Sequence, residues 1–118
     1  MRYNKYKARK TSCSEGHMHD SAKEAARCSQ LHLLLRAGKI SNLEIQKDFL
    51  LIPAARYKNP TSNERQCIYR ADFVYFDIES KKTVIEDSKG ARTKEYILKR
   101  KLFKQIFCQD ENTVFIET

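Results

Sequence analysis

Two runs rich in aromatic and β-branched residues, "CIYRADFVYF" (67–76) and "TVIEDSK" (83–89), are separated only by the polar "DIESKK". Two strand-forming runs with so short a polar link predict an antiparallel hairpin. Such a pair is not stable alone and must be covered by further strands or helices. Both runs also carry acids where a buried strand should be apolar: Asp72 in the first, Glu86 and Asp87 in the second.

The rest of the chain supplies the cover. "SAKEAARCSQLHLLLRAG" (21–38) predicts a helix from about Ala22 to Arg36. Ser21 is its N-cap, Glu24 stands at the capping-box position, and Gly38 is the stop. Cys28, Leu31 and Leu35 share a face that Ala25 and Leu34 widen. "LEIQKDFLLIP" (43–53) reads as a strand ended by Pro53, and 54–66 as a polar loop around Pro60. Apolar residues at 98, 102, 103, 106 and 107 predict an amphipathic helix over 92–107, and "TVFIE" a last strand. The order is α-β-β-β-α-β, a single α/β domain over 13–118 with a mixed sheet. A flexible basic arm, 1–12, and a polar loop, 13–20, precede the first helix.

The 118 residues suffice for one domain with a core, and 41% hydrophobic content argues against disorder. Net charge is +8, from 23 Lys and Arg against 15 Asp and Glu, an excess that predicts a polyanionic partner. The positive charge is clustered. One cluster is the arm, where Tyr3 and Tyr6 lie among the cations and could stack on bases. The other is "KEYILKRKLFK", with Lys94, Lys99, Arg100, Lys101 and Lys104; Arg65, Arg70 and Arg92 can add to it. These are candidate contacts to the DNA backbone, weighed against an ordinary solvated helix face. No recognised base-reading helix is present, which fits a protein that reads shape. No apolar run reaches the roughly 18 residues of a membrane helix, and the basic N-terminus lacks a signal-like apolar segment. A cytoplasmic location is therefore expected, with the four cysteines as thiols or metal ligands.

Asp87 and Lys89 are two apart and share a face of their strand. In a hairpin, Asp72 on the neighbouring strand can converge on Asp87. Two such carboxylates repel unless a cation joins them, and Mg²⁺, or Mn²⁺, suits an all-oxygen set completed by water. Lys89 would then orient a water or neutralise charge on a phosphate. The plainer reading is a salt-bridged edge hairpin. A bulge would exchange Asp87 for Glu86. Separately, Cys13, His17, His19 and Cys28 form a C-x3-H-x-H-x8-C set that could bind structural Zn²⁺, the alternative being a free loop beside a buried Cys28. Cys67 and Cys108, far from that set, read as small buried hydrophobes.

This element order, with Asp72 in "RADF" and Asp87 and Lys89 in "DSK", resembles the restriction-endonuclease-like core of the PD-(D/E)XK nuclease superfamily. "DSAKEAARC", "YRADFVY" and "VIEDSKG" with "TKEYILKRKLF" look like a small phage and prophage family within it, from about residue 8 to the end. Archaeal-type Holliday-junction resolvases have a similar set, with a Glu near the start of the first helix. The resemblance implies a Mg²⁺-dependent DNA endonuclease acting on branched DNA, a homodimer in the way symmetric junction cutting requires, with Glu24, Asp72, Asp87 and Lys89 as the catalytic set. Glu24 then carries a metal-site or water-orienting role as well as its capping one. The sequence departs from the pattern in having Ala71 rather than Pro before the first acid, and Asp87 where Glu is commoner. A non-catalytic nucleic-acid-binding module is the alternative outside enzymes; a nickase or exonuclease of the same fold is the one within them.

Overall fold

A computed structural model describes residues 11–13, 16, 18–19, 21–88 and 92–118. Residues 1–10, His17, Lys89 and Gly90, on which several of the expectations above fall, lie outside these described residues.

Helix α1 spans Ala22–Arg36. Ser21 caps it, its side chain accepting from the Glu24 N–H at 3.2 Å. The helix ends as its sequence predicts: Gly38 takes φ +75° and donates its N–H to Leu35, a left-handed turn that a side chain would resist.

The central sheet has four strands: β3 (Ile40–Ile52), β6 (Cys67–Asp77), β7 (Lys82–Asp87) and β8 (Thr113–Glu117), in the order β3-β6-β7-β8. β6 pairs antiparallel with β3 and with β7, while β8 lies parallel to β7. Parallel neighbours need a long crossover, and α2 (Lys94–Phe107) supplies it. Thr93 caps α2 by accepting from the Tyr96 N–H at 3.1 Å. The chain is thus a single small α/β domain with a mixed sheet between two helices.

Alternation on β7 decides what each helix covers. Val84 packs with Phe73 and Tyr75 under Ala25, Cys28 and Leu31 of α1. Ile85, one residue on, packs with Val74, Tyr69 and Leu51 under Phe103 of α2. The opposite faces of one strand therefore join two half-cores. No described helix is long and apolar enough to cross a membrane.

Three expectations need correction. Residues 54–66 are not an irregular loop: β4 (Ala55–Lys58) and β5 (Thr61–Glu64) form an antiparallel hairpin around Pro60. Most of its residues are exposed, so it is held by main-chain pairing and leaves no apolar alternation to read. Thr11–Ser12 (β1) pair with Met18–His19 (β2), so the basic arm and the polar loop each give up residues to a two-residue ladder. Finally, β3 begins at Ile40, not Leu43. A register shift between Ser41 and Glu44, with Asn42 at φ +53°, breaks the alternation that would have marked its start.

Candidate functional site

The acids gather where the sheet loses its regularity. The β6–β7 ladder ends at Phe73↔Glu86, and Asp72 and Asp87 are the next residue on each side. Beyond that point the Ser88 N–H donates to the Asp72 carboxylate, at 2.7 Å. On the other side of β6, Ile45↔Phe73 and Lys47↔Ala71 are ladder partners, and the level between them, Gln46 and Asp72, is skipped. Gln46 has φ +53°, a left-handed conformation that costs a non-glycine residue about 1–3 kcal/mol. The faces change here too. Ile45 and Phe73 belong to the α1-side core, whereas Phe49, Tyr69 and Ala71 belong to the α2-side core. Unbroken strands would have kept Phe73, Ala71 and Tyr69 on one face.

Alternation along the unbroken β7 gives the neighbouring acids Glu86 and Asp87 different surroundings. Glu86 faces α1 and takes a two-point contact from Arg27: Nε at 2.8 Å and Nη2 at 2.6 Å. The Tyr75 hydroxyl also donates to it. The hydrogen bond to Glu86 outweighs burial and holds the Arg27 guanidinium above its ordinary pKa. Asp87, fully buried, lies on the α2 side and accepts from the Tyr69 hydroxyl. Burial, then the hydrogen bond to Asp87, hold that hydroxyl protonated well above its ordinary value, so Tyr69 is a constant donor. Glu86→Gln should consequently act on stability. It weakens charge-assisted hydrogen bonds to a partly exposed Arg27, for a loss of about 1–2 kcal/mol in a denaturant melt. An unchanged melt would show that the Arg27–Glu86 pair does not help to hold α1 on the sheet.

Glu24 combines both of its expected roles in one place. Its N–H is capped by Ser21, while its buried carboxylate accepts from Gln46 Nε2 at 3.1 Å. Gln46 is the strained residue opposite the Asp72 gap, so α1 brings a third acid to the same break. Two carboxylates at one ladder end match what Mg²⁺ asks of a protein, one or two acids with water and phosphate completing the shell. Among the described residues, no group of three or more His, Cys, Asp and Glu side chains is set to enclose a metal ion.

The other predicted residues are spread more widely. Arg92 and Arg100 both pair with Glu117 on β8, at 3.1 and 2.9 Å, and Arg70 pairs with Asp48 across β3–β6. Burial opposes ionisation of Glu117, but hydrogen bonds from Tyr96 and Arg100 prevail and lower its pKa. Lys99 pairs with Glu95 one turn earlier, and Lys104 lies 4.9 Å over the Phe115 ring. Arg65, Lys94 and Lys101 are exposed. Cys13 and Cys28 are buried in the α1-side core, and His19 is described only through its backbone pairing with Thr11. Cys67 and Cys108 border the α2-side core, half-buried.

Sequence reasoning missed Arg27, Gln46 and Tyr69. Tyr69 was the most legible of them, a polar tip in an apolar strand three residues from Asp72. Gln46 carried no local signal, because its role depends on a break in pairing. Searches of curated proteins and of solved structures gave no match to the chain. The family described as protein of unknown function, DUF1064, matches residues 3–117, and the chain belongs to that family.

Proposed function

We propose that the chain is a metal-dependent endonuclease acting on DNA, with a restriction-endonuclease-like core of the PD-(D/E)XK kind. The observation that carries this reading is the placing of Asp72 and Asp87 at the end of one ladder, each already held by a donor. Asp72 and Asp87 would hold Mg²⁺ or Mn²⁺, with Glu24 nearby. When bound, the metal supplies a Lewis acid that polarises a phosphoryl oxygen. The remaining work falls to the chain. The Ser88 N–H and the Tyr69 hydroxyl orient the Asp72 and Asp87 carboxylates, and Gln46 holds the Glu24 carboxylate. Lys89, two residues after Asp87, is assigned the orientation of the attacking water or the neutralisation of phosphate charge. The net charge of +8 draws the DNA.

Branched DNA is the proposed substrate, and a homodimer the proposed assembly, since one small site cuts one strand. Cys13 and Cys28, which share one core, with His17 or His19, remain the proposed ligands for a structural Zn²⁺. The test is incubation with linear, nicked, flapped and four-way DNA, with Mg²⁺ or with EDTA. Expected is Mg²⁺-dependent cleavage fastest on four-way DNA. Equal cutting of all four would make the chain a general nickase or exonuclease. Binding with no cleavage in Mg²⁺ or Mn²⁺ would leave a nucleic-acid-binding module.

A further inference from the structure

A groove of about 390 Å³ runs between α1 and the β7–β8 edge, next to the candidate site. Lys23, Ala26, Arg27 and Gln30 form its helix wall. Their spacing, i, i+3, i+4 and i+7, is that of one helix face. Ile116 and Ser88 belong to the opposite wall. Ser88 is also the residue whose N–H donates to Asp72, so the groove opens beside the acids.

Its chemistry is that of a nucleotide. Two cations, Lys23 and Arg27, face a single acid, Glu86. Glu86 is engaged through both oxygens by Arg27, which it neutralises, and by Tyr75, so the uncompensated charge of the groove is that of Lys23. Lys23 stands in the first turn of α1, where the helix adds positive potential. Ala26 and Ile116 offer apolar surface to a base or sugar, and Ile116 is exposed. Gln30 offers a side-chain amide at one end.

We infer that this groove binds one unstacked nucleotide of the DNA strand, flanking the bond to be cut, with its phosphate on Lys23. The inference rests on the nuclease reading and extends it to substrate choice. A groove of this size takes a single nucleotide, and a base enters it only when out of the duplex stack. Branch points lower the cost of extruding a base, because stacking is interrupted where the arms meet. The groove would thus favour branched over linear duplex DNA without reading sequence.

The test uses the whole chain, in EDTA so that no cleavage intervenes. Thymidine 5′-monophosphate, and inorganic phosphate separately, are titrated while amide signals are followed. The nucleotide is expected to shift the amides of Ala26, Arg27, Gln30 and Ile116; inorganic phosphate alone should move only those near Lys23. Ala26→Trp, which fills the groove, and Lys23→Glu, an exposed charge reversal, should each weaken nucleotide binding at least tenfold. In Mg²⁺ both should raise KM for four-way DNA at least tenfold. Wild-type nucleotide binding by both folded variants, or shifts confined to other surfaces, would overturn the inference. If the nucleotide binds here but no DNA is ever cut, the groove stands and the nuclease reading falls. If both variants cut four-way DNA with wild-type KM, the nuclease reading stands and the groove falls.

Discussion

Asp72→Asn and Asp87→Asn are each expected to lower Mg²⁺-dependent DNA cleavage by about 10²–10³-fold or more, while DNA binding is kept or tightened. The loss should be large because each exchange removes a negative oxygen from a two-acid donor set. Binding should survive because a charge that repels phosphate has gone. Asn is the right probe for the fold. Its amide oxygen can still accept the Ser88 N–H at position 72 or the Tyr69 hydroxyl at position 87, whereas Ala would leave those donors buried and unpaired. Cleavage at the wild-type rate by either variant would remove the acid pair from the mechanism. The comparison with Glu86→Gln is decisive for the assignment of the second acid. Glu86 is turned toward Arg27 on the α1 side, so cleavage per folded molecule should survive its loss of charge. The reverse result would mean that Glu86, not Asp87, is the metal acid.

The second large effect is on stability. Phe103 is the fully buried anchor of α2, with Phe49, Tyr69, Phe107 and Phe115 at ring-centroid distances of 4.9, 4.7, 5.3 and 5.9 Å. Truncation to Ala loses the transfer free energy of the ring and leaves a cavity that four aromatic neighbours cannot close. The expected cost is about 3–5 kcal/mol, seen as a lower denaturant midpoint with an unchanged slope. Phe103→Leu keeps part of the volume and should cost less. The effect should reach the candidate site, because Tyr69 packs against Phe103 and donates to Asp87. A loss below about 1 kcal/mol for Phe103→Ala would show that α2 is not held to the sheet by this residue.

Much of this was legible in the sequence, for local reasons. Ser21, Glu24 and Gly38 mark both ends of α1 because caps depend on nearby residues only. The β6–β7 hairpin followed from two β-rich runs and a short polar link, and α2 from its apolar spacing. The same local rules placed Asp72 and Asp87 side by side once the hairpin was assumed. The hairpin over 55–64 stayed hidden because its stability comes from backbone pairing, which writes no pattern on exposed side chains. Only the tertiary structure could separate Glu86 from Asp87 by partner, giving one to Arg27 of α1 and the other to Tyr69. Strand alternation alone gives two faces but does not say which helix covers which. The irregularity at Gln46 and Asp72 is likewise non-local: the β3–β6 ladder skips that one level and resumes in register at Lys47 and Ala71, and no single segment records that. Residue types and helix ends were set by neighbours along the chain; the surroundings of each acid were set by which strands and helices met across it.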